Sequence, residues 1–136
     1  QGSFFDHQKS LELISLESLL IKTPDDLDKV DGIILPGGES TAMSKISTYN
    51  NLYKKLDTKI KQGFPTLSTC AGTIILAKSV IDGDTHIPNI DIEIQRNAYG
   101  RQNESFEADV KFLNNNDIFN FYLNFCSGRN CAIKHI

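Results

Sequence analysis

The sequence predicts a three-layer α/β fold, a parallel sheet with helices on both faces, and three observations carry that prediction. Short apolar runs at 18–22, 32–35 and 66–69 alternate with segments of helical period, the pattern of strands joined by helical crossovers. Two of these runs end in cramped turns, Pro36-Gly37-Gly38 and Thr69-Cys70-Ala71-Gly72. Such turns therefore fall at carboxyl ends of strands, where open α/β sheets gather their chemistry. A length of 136 residues with 40% hydrophobic content suits one domain over residues 1–136, with a substantial core.

Taken in order, Gln1 to Asp6 reads as a glycine-containing turn with two exposed aromatics, and a helix follows from about Asp6 with Leu11, Ile14 and Leu16 on its apolar side. Ser18-Leu19-Leu20-Ile21-Lys22 reads as a short buried strand. Thr23-Pro24-Asp25-Asp26 starts a short helix, with a capping residue, proline at the first position and acids on the positive end of the dipole. Gly32-Ile33-Ile34-Leu35 is the next strand. Helical character runs from Ser40, breaks near Tyr49-Asn50-Asn51, and resumes with Leu52, Leu56 and Ile60 until Gly63. Residues 66–69 form the third strand, and a buried helix is expected from Ala71 to about Val80. Beyond the polar 82–88 loop the period changes to two: Ile90, Ile92 and Ile94, then Phe106, Ala108, Val110 and Phe112, alternate with polar residues. That alternation predicts two half-buried strands, expected as an antiparallel pair. The apolar run 118–125 has no assigned type.

Net charge of -3 and a pI near 5.5 give no long-range field for nucleic acid or an anionic membrane. No apolar run approaches a membrane span, and three cysteines in no metal-ligand spacing make no disulfide framework. A cytoplasmic protein is expected, in a reducing compartment that suits a working thiol. The chain opens at Gln1-Gly2 without Met and stops at Ile136 just after an apolar stretch, so it reads as a piece of something longer.

The stretch around Cys70 has the order of a nucleophile elbow: apolar strand, tight turn carrying the reactive atom, apolar helix, with small neighbours Ser68, Ala71 and Gly72. A thiol there gains helix N–H groups aimed at a developing oxyanion and a dipole that favours thiolate. A lone Cys is more often a small core residue. Its pairing with Leu35-Pro36-Gly37-Gly38-Glu39-Ser40-Thr41 changes that reading.

Those two blocks, together with Arg96-Asn97-Ala98-Tyr99-Gly100-Arg101-Gln102 and Ser105-Phe106-Glu107-Ala108-Asp109, resemble the glutaminase subunits of pyridoxal 5'-phosphate synthase, class I triad-type glutamine amidotransferases. The opening Gln1-Gly2-Ser3-Phe4-Phe5-Asp6-His7 is also similar to that family's first loop, and the resemblance runs to about Leu113. It implies a flavodoxin-like class I amidotransferase fold, hydrolysis of L-glutamine to glutamate and ammonia, and a synthase subunit as partner that receives the ammonia. It implies no metal or organic cofactor for this subunit, and the charge and hydropathy above already argue against a nucleic acid or membrane partner. Cys70 matches the nucleophile, and Gly38 and Ala71 match the oxyanion-hole N–H donors. Gly38, Glu39 and Ser40 match the turn that holds glutamine, and Arg96 matches a second substrate contact. A guanidinium suits an α-carboxylate, which it can grip with two parallel hydrogen bonds. Each block also has a plain structural reading: Pro36-Gly37-Gly38 as a connecting turn, Arg96 as an ion-pair partner.

The chain departs from the family pattern in four places. No His-Pro-Glu segment follows Cys70. Its three histidines are His7 and His86, expected solvated, and His135, followed by Ile136. The family's Phe-Ile-Arg-Ala-Pro stretch is replaced by Phe121-Tyr122-Leu123-Asn124-Phe125-Cys126, an abrupt loss of similarity that looks like a shifted reading frame or premature end. Ser68 stands where the family has Gly, so elbow strain is expected to differ. A first strand, central in the family's sheet, is not in the sequence. The alternatives are therefore a non-catalytic scaffold that binds a partner or glutamine, or another Cys-dependent α/β hydrolase.

Overall fold

Two short parallel strands, β1 (Ile33–Leu35) and β2 (Thr66–Ser68), pair in register from Ile33↔Thr66 to Leu35↔Ser68 and carry the candidate site at their carboxyl ends. The structure is a computed structural model describing residues 4–38, 45, 51–81, 83–96, 106–111, 118–123 and 131–135, with backbone alone from residue 96 onward. Helix α1 (Phe4–Leu13) precedes a 3-10 turn (Pro24–Asp28), and α2 (Leu52–Lys61) connects toward β2. After β2 come α3 (Ala71–Leu76), β3 (Ala77–Ile81) and β4 (Ile90–Arg96). Strands β5 (Phe106–Lys111), β6 (Ile118–Leu123) and β7 (Cys131–His135) follow. The parallel β1–β2 pair, with helices packed against it, agrees with the α/β expectation.

Helix α2 shows how the core forms. Its positions Leu52, Tyr53, Leu56 and Ile60 recur at helical spacing and face Leu27, Leu35, Ile75, Leu76 and Ile87. Leu27 and Leu56 are fully buried there. The opposite face is polar, and Lys55 and Lys59 reach Asp28 at 2.6 and 3.0 Å, clipping α2 to the 3-10 turn. That turn starts as its sequence requires: the Asp26 carboxylate accepts from the N–H groups of Thr23 (2.9 Å) and Lys22 (3.1 Å). These donors and the Lys29 ammonium, the largest contributor, hold the Asp26 carboxyl far below the ordinary carboxylate range. On the other side of α3, Ile74 and Ala77 join Val80 and Ile94 in a second cluster.

Several expectations are corrected. The α1 helix begins at Phe4, not Asp6, has no buried residue, and stops before Ile14 and Leu16, which are exposed. Residues 18–22 form no strand, and Leu19 and Leu20 lie exposed. An extended segment becomes a strand only by pairing, and no described strand lies beside it. The helix after Cys70 ends at Leu76 instead of Val80. Ala77 is already extended, and the N–H groups of Ile87 and Asn89 take the Ile75 and Leu76 carbonyls at 3.0 and 2.9 Å. Those carbonyls are the ones a helix end leaves orphaned. Residues 77–81 then pair in parallel with β4. The period-two reading of β4 and β5 holds for each strand but not for their pairing: β4 lies between β3 and β7, and β5 pairs with β6. Period two identifies a half-buried strand without naming its neighbour. The untyped 118–125 run contains β6.

Candidate active site

The site is built around the Leu35 carbonyl. It accepts the Thr69 N–H at 3.0 Å, which locks the end of β1 to the residue before Cys70. Gly72, in the first turn of α3, lies so close that an added Cβ would collide with this same oxygen and come within 2.8 Å of the Leu35 carbonyl carbon and Cβ. Only a residue without a side chain lets α3 start there. The turn after β1 then passes over the thiol. A Cβ on Gly37 would stand 3.2 Å from the Cys70 Cβ and 3.7 Å from its Sγ, so bare backbone faces the sulfur. Gly38 follows with φ 152.

Cys70 is exposed, with φ 48 and ψ -114, a conformation that costs a side-chain-bearing residue on the order of 1–3 kcal/mol. Neighbouring bonds impose it. Gly72 N–H donates to Thr69 O at 2.9 Å, and the N–H groups of Thr73 and Ile74 donate to Cys70 O at 3.0 and 3.3 Å. The Ser68 hydroxyl, where a glycine was the family expectation, meets the Thr73 hydroxyl at 3.1 Å and so ties the elbow's front to its helix. On the far side, His7 Nε2 lies 3.4 Å from Thr69 Oγ1.

Of the expected site residues, the fold brings together Cys70, Ala71 and the Pro36-Gly37-Gly38 turn. Glu39 and Ser40 lie outside the described residues. Arg96 is the last residue of β4, in register with Cys131. Sequence reasoning missed Gly37, Thr69 and His7. Gly37 had a signal in the Pro-Gly-Gly string. His7 closes the opening stretch that resembles the family's first loop, but with its partner 62 positions away nothing in the sequence announces the contact.

His7 and His86, both expected solvated, are instead half-buried. His86 lines a cleft of about 410 Å³ with Tyr53, Lys54, Asp57, Lys61, Thr85, Ile87 and Pro88, a lining that includes no elbow residue. Burial lowers its pKa from the ordinary 6.5, against the smaller opposing effect of Asp84. With the folded pKa below the unfolded one, the unfolded chain takes up the proton first as pH falls. Stability should therefore decline from about pH 6.5 down to the folded pKa. Urea midpoints measured across that window should lose this slope in His86→Gln; an unchanged slope would contradict the assignment.

Among the described residues no cluster of His, Cys, Asp and Glu could hold a metal ion, and no helix is long and apolar enough to cross a membrane.

A thiol on a strained turn between a parallel strand and a helix, faced by bare glycine backbone from the adjoining strand, defines an α/β protein that displays an exposed cysteine at the carboxyl end of its parallel pair. Within that class, the chain belongs to the SNO glutamine amidotransferase family, which matches residues 1–130. It is 45% identical over 121 residues to the pyridoxal 5'-phosphate synthase subunit PdxT of Thermosipho africanus, covering 88% of this chain and 64% of that protein. With PdxT of Fervidobacterium nodosum it shares 45% identity over 120 residues, 88% of this chain and 63% of that one. A crystal structure of a glutamine amidotransferase superposes with TM-score 0.82 at 28% identity, over 91% of this chain and 67% of the other. The chain thus spans a little under two thirds of the length of these PdxT relatives.

Proposed function

We propose that this chain is a single glutamine amidotransferase domain, from a cytoplasmic glutaminase that hydrolyses L-glutamine and delivers ammonia to a pyridoxal 5'-phosphate synthase subunit. The observation that carries the reading is the approach of the Gly37 backbone to the Cys70 side chain, which joins the two motif blocks in one site.

In this reading the Cys70 thiolate attacks the side-chain carbonyl carbon of glutamine. The resulting oxyanion is proposed to be held by the N–H groups of Gly38 and Ala71. Collapse expels the amide nitrogen, which takes up the proton that the Cys70 thiol gave up and leaves as ammonia, and a glutamyl thioester remains on Cys70. Water then adds to the thioester carbonyl, releasing glutamate and restoring the thiol. Glu39 and Ser40 are proposed to hold the amino-acid end of glutamine beside Gly38, and Arg96 its α-carboxylate. The His-Pro-Glu proton carrier of the family is not among these 136 residues.

The test is alkylation of Cys70 by a glutamine-like chloroketone, with and without competing glutamine, followed by ammonia release with and without the synthase subunit. Glutamine-protected labelling of Cys70 is expected. Labelling that glutamine does not slow would remove the glutamine pocket. Protected labelling without ammonia would assign the non-catalytic scaffold.

A further inference from the structure

Helix α1 buries none of its residues, yet His7 within it is half-buried and reaches Thr69, the residue before the nucleophile. Thr69 is held on every side. Its N–H donates to Leu35 O, its carbonyl accepts from Gly72 N–H, and its hydroxyl meets His7 Nε2. The first two bonds belong to the β1–β2–α3 framework that any strand-to-helix turn here would make. The third comes from a separate element whose other described side-chain bonds stay local: Ser10 to the Asp6 carbonyl within α1, and Gln8 to Ser18 in the exposed segment that follows it.

A non-glycine residue at φ 48 persists only where its surroundings over-determine it. Thr69 is the lever through which they do so. The His7 contact adds a side-chain anchor to a residue whose N–H and carbonyl are both already engaged, directly before the strained Cys70. From this juxtaposition we propose that His7 is a positioning residue for the glutamine-directed reaction, holding Thr69 so that the Cys70 thiol faces the Pro36-Gly37-Gly38 turn. The inference rests on the glutaminase reading above and adds to it His7, to which that reading gives no role.

The experiment uses the 136-residue chain and compares two electrophiles, a glutamine-like chloroketone, which must seat in the pocket, and iodoacetamide, which needs only a reachable thiolate. His7→Ala is expected to slow chloroketone labelling about fivefold, the worth of one ordinary hydrogen bond, and to change iodoacetamide labelling less than about twofold. His7→Gln, whose amide nitrogen can reach Thr69 as Nε2 does, should restore the rate. Thr69→Val removes the hydroxyl at constant shape, and its effect should not add to that of His7→Ala in a double-mutant cycle. Because Thr69→Val leaves α1 intact, it carries the test if His7→Ala fails to fold. Unchanged chloroketone labelling in either variant overturns the proposal. So does an equal slowing with both reagents, which would make the bond a tether for α1 and nothing more. Absence of glutamine-protected labelling in the unsubstituted chain would instead sink the glutaminase reading, and this proposal with it.

Discussion

Gly72→Ala is expected to destabilise the fold by about 3 kcal/mol or more, at the upper end of what overpacking one methyl costs, because nothing nearby can yield. The colliding partner is not a flexible side-chain tip. It is the Leu35 carbonyl, held in place by the Thr69 N–H and by the β1–β2 ladder. To admit a Cβ, either β1 must move away from β2 or α3 must shift its first turn, and α3 carries Ile75 and Leu76 into the main cluster and Ile74 into the other. Both adjustments open the core. Gly63→Ala is the control: φ is +90 there and nothing lies within 4 Å of the added Cβ, so only backbone strain acts, on the order of 1–2 kcal/mol. Urea midpoints of the two variants should separate clearly. A Gly72→Ala midpoint equal to that of Gly63→Ala would mean that the elbow has room the structure does not show.

That contrast also explains what was legible in the sequence. The two glycine-bearing turns could be read directly, because Pro-Gly-Gly and Cys-Ala-Gly announce backbone conformations and approaches that other residues do not allow, and their place after apolar strands puts them at one sheet end. Helix α2 was equally plain, since Leu52, Leu56 and Ile60 carry its period. What failed depended on partners. The 18–22 segment has the composition of a strand and no described neighbour to pair with. Residues 77–81 continue the apolar run of α3, and only the arrival of Ile87 and Asn89 on its last carbonyls, with β4 alongside, marks where helix gives way to strand. The β4–β5 pairing failed for the same reason, because alternation fixes a face and not a neighbour. His7 reads as a solvated side chain because nothing local ties it to position 69. Ser68, from sequence a potential disturbance of the elbow, is absorbed into the turn by its bond to Thr73.

Cys70→Gly should abolish chloroketone labelling at position 70 and, at the same time, leave the chain more stable than Cys70→Ala. The two substitutions remove the same sulfur. They differ in the Cβ that has to sit at φ 48 and ψ -114. Relief of that strain is worth on the order of 1–3 kcal/mol, and the extra freedom glycine gives the unfolded chain takes back roughly 0.5–1 kcal/mol. A net advantage of about 1 kcal/mol for glycine over alanine follows, which thermal or urea unfolding of the pair can read. Equal stability would mean that the turn holds its thiol without cost and that the conformation at position 70 is not a constraint the rest of the fold has to enforce. A clear advantage for glycine would mean the opposite: the β1–β2 ladder, the Leu35–Thr69 bond and the bonds to the Cys70 carbonyl act together to keep a side chain where the backbone alone would not. Stability surrendered at one residue to present a reactive atom is the pattern expected of a working nucleophile, and a buried core thiol would have no reason to show it.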